Sequence, residues 1–403
     1  MIAQTDVNTM VPKRIEVQEW SKLDCKLTPE ELVSLATIPN EAVQFQVVSS
    51  GTVRLQTNSV VGRFRTSSID LIIRPKLSID SLLYLLGEVY GIEKLHQQFA
   101  GYKSKVEVDE LLIRIFVNYV TKLIRQGVRK RYISQKDQLT TVRGRIDVRR
   151  TTALYYSGSP EVECEFDEHT YDCIENQVIK TTLGVLLNRN AESTSQRQTI
   201  WSLYKEFGDV KELPANVALS SEVVRNRLNM HYFPAIPLAR VILSSMGVTH
   251  DFGSIEMNGF HVDMNLLYER YIDRRLRKEL KPFGVTVDAQ NSSPFDTKQQ
   301  ALIRPDLILQ SKLGKRVVAD TKYKVTNRPD RNDLYQLLSY CQILGIPKGA
   351  MITVGDLADR HYSVSDNYTS IDVFPISMDG TPEMLEAETR ILAQKLHKLV
   401  SSA

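Results

Sequence analysis

The chain has little cysteine, and what it has is scattered. Its 403 residues include four cysteines, Cys25, Cys164, Cys173 and Cys341, with no C-x-x-C pair. That spacing argues against a disulfide framework, a zinc site or an iron–sulfur cluster, and fits reduced thiols in a cytoplasmic protein. No apolar run is long enough to span a bilayer, and the stretch MIAQTDVNTMVPKRIEVQEW lacks the apolar core of a signal peptide. There is no G-x-x-x-x-G-K-[ST], so nothing predicts a P-loop or any nucleotide-binding residue, and there is no G-x-S-x-G. The seven histidines stand apart from one another and from the cysteines. Excess charge is missing as well: 51 Lys and Arg against 48 Asp and Glu leave a net charge of +3. Affinity for a polyanion must therefore come from local patches.

What is present is an ordinary globular composition, 42% hydrophobic and 25% charged, with length for two or three cores. The first part reads as β-rich, with strand-like runs at 42–50, 53–66 and 68–76. Between them, LTPEELVSLATI predicts a short helix with Thr28 as N-cap, Pro29 in the first turn and Glu31 closing a capping box. From Ile79 the spacing turns helical, and DELLIRIFVNYVTKLIRQGVRKRY (109–132) reads as helical throughout. RGRIDVRRTT (143–152) and VECEFDEH (162–169) return to strand alternation, and three more helices follow. GSIEMNGFHVD (253–263) reads as a turn-rich break before a long helix, DMNLLYERYIDRRLRKEL. After it the order is strands, helix, strand, strand, helix, an α/β domain. The expected organisation is a multi-domain α/β protein. Residues 1–155 form a β-rich and helical N-terminal region, 156–258 a helical connector and 259–403 the C-terminal α/β domain.

The C-terminal domain holds the segment with most chemistry. In IRPDLILQSKLGKRVVADTKYK (303–324), two apolar runs flank a Ser-Lys-Leu-Gly-Lys turn. An antiparallel hairpin centred near Leu313 pairs residues equidistant from it. Asp306 then falls opposite Asp320, and Arg304 opposite Lys322. Side chains alternate along a strand, so Asp306, Asp320 and Lys322 converge on one face. Opposed side chains sit roughly 4.5–5.5 Å apart at Cβ. Two carboxylates that close, beside Ile303, Leu307, Ile308, Val317 and Val318, need a shared proton or a cation between them. An oxygen site with open positions suits Mg²⁺, and a lysine beside it suits metal-assisted phosphodiester hydrolysis. A D-x-K on an edge hairpin is more commonly a solvent-facing salt bridge. Against that stand Pro305, which marks a strand start or edge, Gln336 and Tyr340 on one helical face, and Glu269 among apolar residues of the upstream helix.

Pro305-Asp306 followed by Asp320-Thr321-Lys322 resembles the PD-(D/E)XK nuclease signature, and Gln336 with Tyr340 resembles the Q-x-x-x-Y addition of its RecB-like branch. RGRIDVRRT (143–151), DEHTYDCIENQVIKTTL (167–183), LYERYI (267–272), RPDLIL (304–309) and ADTKYK (319–324) together resemble the McrC family, the nuclease subunit of McrBC modification-dependent restriction systems. The resemblance runs from about residue 40 to 376 and is strongest after 140. It implies a restriction-endonuclease-like C-terminal domain, with Asp306, Asp320 and the Thr321 carbonyl as Mg²⁺ ligands and Lys322 as the catalytic lysine. Glu269 would orient the lysine or bind a second cation, and Gln336, Tyr340 and Arg304 would shape the site or touch DNA. The family more often has Glu where this chain has Asp320. The resemblance also implies a AAA+ GTPase partner similar to McrB, a hexameric ring that binds GTP and reads 5-methylcytosine in double-stranded DNA. The N-terminal region would engage that ring and stimulate its GTPase.

Between Lys122 and Arg150 the chain has ten Lys or Arg and two acidic residues. Arg125, Arg129, Lys130, Arg131, Arg143, Arg145, Arg149 and Arg150 form a candidate patch for phosphates or for a partner, or a solvated helix end favoured by the dipole. Glu161, Glu163, Glu165 and Asp167 alternate with apolar residues, as on a half-buried strand with a wet acidic face. Asp172, Glu175 and Asn176 at the next helix start read as structural. The expectation is a Mg²⁺-dependent endonuclease subunit of a restriction system acting against phage DNA. The rival readings are a stand-alone RecB-like exonuclease and a non-cleaving adaptor that regulates a AAA+ ring.

Overall fold

The computed structural model describes residues 12–49, 51–92, 95, 97, 108–188, 194–245, 258–289, 293–294, 302–325, 329–355, 358–364 and 368–402. The chain forms two compact units. One gathers the residues up to Val108 with those from Gly259 onward; the other holds Asp109–Asn258. This division differs from the three consecutive segments read from sequence: the boundary at 155 falls inside the second unit, and the first unit joins the two ends of the chain. The physical reason is visible around Arg275, which is 1% exposed on the helix Met264–Leu280. A buried guanidinium must be paired. Its carboxylates come from Glu88 at 3.5 Å, Glu279 at 3.0 Å and Glu386 at 3.3 Å, drawn from widely separated parts of the chain. Asp379 adds a second tie by accepting from the Ser78 N–H and the Ser81 hydroxyl.

In the first unit, the helix Pro29–Leu35 starts with the capping box expected of Thr28 and Glu31. Lys22–Lys26, Thr52–Thr57 and Val43–Ser49 make an antiparallel sheet with Thr52–Thr57 in the centre. A second sheet runs in the order Lys13–Gln18, Ile69–Arg74, Val60–Arg65, Asn258–Asp263. Its last strand corrects the reading of 253–263 as only a turn-rich break. Asn-Gly looks like a turn, but the residues from Asn258 on add to a strand far away in sequence.

The third sheet of this unit has six strands in the order Val285–Ala289, Leu307–Ser311, Arg316–Val325, Lys348–Val354, Ser370–Ile376, Arg360–Ser363. The hairpin strands are antiparallel, and Arg316–Val325 is parallel to Lys348–Val354, as is Ser370–Ile376. The helix Arg331–Leu344 covers one face, where Leu337, Tyr340 and Cys341 pack on Val318, Met351, Ile371 and Val373. Met264–Leu280 and Pro382–Ser401 pack on the other.

The second unit is a small sheet and a group of helices. Val162–Thr170 lies between Arg131–Leu139 and Arg145–Ile146, both antiparallel to it. Two sequence readings change here. The helix begun at Val108 ends at Gln126, because Gly127 takes a φ of 102° and the residues from Arg131 pair as a strand. RGRIDVRRTT keeps only Arg145–Ile146 as strand. Asp147 accepts from the Arg150 N–H and caps a helix, Val148–Tyr156, that buries none of its residues.

Candidate active site

The hairpin pairs Leu307 with Ala319, Ile308 with Val318, Leu309 with Val317 and Gln310 with Arg316. This is the register expected from a turn centred on Leu313. It leaves Asp306 just outside the ladder, after the buried Pro305. The Asp306 carboxylate leans onto the facing strand, where one oxygen accepts from the Thr321 N–H and the Thr321 hydroxyl, both at 2.7 Å. Thr321 therefore orients the first aspartate through its donors, a role that the sequence signature does not express. Arg304 is exposed, two residues upstream.

Asp320 lies in the strand, 1% exposed. Burial, then the charge of Asp306, raises its pKa from 3.8 to about 7, against the opposing pull of Lys322. The Lys322 Nζ stands 2.8 Å from Asp320 Oδ2, and that buried oxygen has no aligned hydrogen bond among the described residues. Burial works against the Lys322 ammonium, but Asp320, Asp306 and Asp333 outweigh it and hold its pKa above the usual lysine value. Lys322 also donates to Gln336 Oε1 at 3.1 Å, and Gln336 Nε2 donates to the Tyr340 hydroxyl at 2.8 Å. The hairpin and the helix Arg331–Leu344 thus bring Asp306, Asp320, Thr321, Lys322, Gln336 and Tyr340 together. Glu269 is half-buried on Met264–Leu280. Its neighbour Tyr268 packs with its ring centroid 5.9 Å from that of Tyr323.

Two further residues belong to this cluster. Lys324 continues the alternation of Asp320 and Lys322, and its ammonium meets Asp333 in the first helical turn at 3.1 Å. The period-two spacing D-x-K-x-K was the signal for it.

The donor set suits a hard dication. Two carboxylates converge, one of them buried with an oxygen that has no aligned hydrogen bond among the described residues, and the charge of Asp306 raises the cost of ionising Asp320. Among the described residues, no three His, Cys, Asp or Glu gather as a complete ligand set. A cation held here would keep positions for water and phosphate, as Mg²⁺ does.

The basic patch of the second unit is partly neutralised within that unit. Arg129 and Arg131 reach the fully buried Glu175 at 3.2 and 3.4 Å, and Arg150 reaches Glu163 at 3.0 Å. Arg143 lies 4.1 Å over Phe166 and 3.9 Å from Glu168, and Lys130 lies 4.4 Å over Tyr171. Of the alternating acids, Glu163 is buried on Arg150, Glu165 meets Lys136 at 3.7 Å, Glu161 accepts from the Ser159 hydroxyl at 3.4 Å, and Asp167 is exposed. Arg125, Arg145 and Arg149 are exposed and have no acidic partner among the described residues. Asp172, Glu175 and Asn176 all bond within the unit. A cavity of about 580 Å³ in this unit, lined by Arg197, Trp201, Tyr204 and Glu212 among others, involves residues the sequence does not mark.

Residues 55–353 match the family model described as McrBC 5-methylcytosine restriction system component. The chain is 20% identical over 284 residues to the Type IV methyl-directed restriction enzyme EcoKMcrBC of Escherichia coli (strain K12), an alignment spanning 66% of this chain and 81% of that protein. Its fold matches a chain of the refined half-complex from the tetradecameric assembly of Thermococcus gammatolerans McrB AAA+ hexamers with bound McrC. That match has a TM-score of 0.63 and 17% identity, over 95% of this chain and all of the other. At that identity the shared property is the fold. The family match covers most of the sequence and contains both hairpin aspartates and the lysine, so the chain belongs to the McrBC 5-methylcytosine restriction system component family, as an McrC-like member.

Proposed function

We propose that this chain is the DNA-cutting subunit of a 5-methylcytosine-dependent restriction system, a Mg²⁺-dependent endonuclease with a PD-(D/E)XK domain. The observation that carries the reading is the linked cluster Asp306–Thr321 and Asp320–Lys322–Gln336–Tyr340 on one hairpin and one helix. Asp306 and Asp320 would hold the ion, with the Thr321 carbonyl as a further oxygen. When bound, Mg²⁺ supplies an acidified water and offsets charge on the attacked phosphate. The protein's own part is positional. Thr321 aims the Asp306 carboxylate. Gln336 holds the Lys322 ammonium, which can orient a water or stabilise negative charge on phosphate oxygens. The apolar strands keep Asp320 dry, where its interaction with a cation is strongest.

The fold neighbour's McrB AAA+ hexamers suggest the partner: a GTPase ring that binds GTP, reads the methylated base and switches the cut on. Arg125, Arg145 and Arg149 are available to DNA or to that ring. The test is plasmid cleavage by the full chain, alone or with the AAA+ GTPase and GTP, in Mg²⁺ or EDTA. Cutting that needs Mg²⁺, partner and GTP supports the reading. Cutting by the isolated chain would transfer it to a free nuclease. A raised partner GTPase rate with no cutting would make the chain an adaptor.

A further inference from the structure

A buried carboxylate from the N-terminal sheet reaches the strand that carries the lysine. Glu19 follows the strand Lys13–Gln18 and is fully buried. Its Oε1 accepts from the Lys76 N–H at 2.6 Å and from the Tyr323 hydroxyl at 2.8 Å, while Oε2 has no hydrogen bond among the described residues. The turn that presents it is strained. Trp20 has a φ of 52°, the one positive value outside glycine among the described residues, and such conformations persist only where the surroundings impose them. The Glu19 N–H bonds to the Arg74 carbonyl at 2.9 Å and the Trp20 N–H to that of Asn58 at 3.3 Å.

The place this carboxylate touches is where the strand loses its own support. Arg316–Val325 runs in register with its parallel neighbour up to Lys322 and Thr353, and resumes only at Val325 and Val354. The antiparallel pairing on the other side has already ended at Ala319. Bulges beside active sites re-aim side chains, and here Tyr323 and Lys324 fall in the irregular stretch directly after the lysine. Two side-chain contacts hold it: Lys324 to Asp333 on one face and Tyr323 to Glu19 on the other. Tyr323 is 4% exposed and also packs on Tyr268, next to Glu269.

We infer that Glu19 is a positioning residue for the Lys322 end of this strand, and that the N-terminal sheet acts on the hairpin site through the Glu19–Tyr323 contact. Its consequence for cleavage rests on the nuclease reading; its consequence for Lys322 does not. The full chain is compared with its Glu19→Ala, Glu19→Gln and Tyr323→Phe variants. The first readout is the acetylation rate of each lysine, followed by mass spectrometry without metal, DNA or partner. Lys322 should react about tenfold faster in Glu19→Ala and Tyr323→Phe as local opening becomes easier. Glu19→Gln, which keeps the acceptor, should stay near wild type, and lysines other than Lys322 and its neighbour Lys324 should not change. The second readout is Mg²⁺-dependent cleavage with partner and GTP. The same two variants should lose about tenfold in turnover, with unchanged KM for DNA and unchanged partner GTPase rate. Unchanged Lys322 reactivity in both variants overturns the inference. So does faster reaction at every lysine with a lowered melting temperature, which marks lost folding. If the wild type never cuts, the nuclease reading fails while the acetylation rates still decide the role of Glu19.

Discussion

Replacing Asp320 with Asn should destroy activity and yet stabilise the metal-free protein, increasingly so as pH rises. Asp320 is a buried acid whose pKa is raised from 3.8 to about 7, by burial and then by Asp306. Between those values the folded chain holds a proton that the unfolded chain has released, so stability falls as pH rises through that window. Three units at about 1.4 kcal/mol each set the full penalty of the ionised form at up to about 4 kcal/mol above the folded pKa. Asn is neutral and nearly isosteric, so it mimics the protonated acid at every pH. The stability gap between Asp320→Asn and wild type should widen by roughly 2–3 kcal/mol from about pH 5 to about pH 8, or about 5–10 °C in melting temperature. The assay is thermal unfolding in EDTA at both pH values, then again in Mg²⁺. Mg²⁺ should raise the wild-type melting temperature at the higher pH and leave the variant unmoved. A gap that is constant or shrinks with pH would refute the idea that a dry, repelling carboxylate pair is held ready for a cation.

Gln336→Ala removes the acceptor that holds Lys322; turnover should fall about tenfold, with melting unchanged because the side chain is exposed. Glu175→Gln leaves Arg129 and Arg131 without their buried carboxylate and should cost about 3 kcal/mol in urea unfolding. Burial opposes the Glu175 charge, but Asn229 and the two arginines win and lower its pKa, so this contribution should disappear as pH falls through the carboxylate range. Gly144→Ala should cost about 2 kcal/mol by the same assay, since Gly144 has a φ of 72° and a Cβ there would collide with the Glu165 carbonyl.

The hairpin was legible because a short turn with Gly314 centres it and the apolar alternation allows one register. Gln336 and Tyr340 followed from helical spacing. Contacts formed late in the chain by early residues were not legible. Glu19 and Tyr323 are 304 residues apart, and nothing near Glu19 distinguishes it from a surface glutamate. Arg275 looked like one basic residue in RRLRK until three carboxylates closed around it. The start of the helix Val148–Tyr156 is hidden because Arg143, Arg145, Ile146 and Val148 lead into it with the alternation of a strand. The Asp147 cap decides against that, and the helix leaves Val148, Tyr155 and Tyr156 exposed. The resemblance gives Thr321 only a carbonyl role toward a metal; its hydroxyl and N–H matter because Asp306 stands outside the ladder and leans onto them.

The most direct test of the account is cleavage of methylated and unmethylated plasmid in Mg²⁺, with the AAA+ GTPase and GTP, by wild type and by Asp320→Ala. The account predicts that wild type cuts methylated DNA alone and that Asp320→Ala cuts neither while still raising the partner's GTPase rate. Cutting by Asp320→Ala at the wild-type rate would contradict it and move the chemistry away from the hairpin.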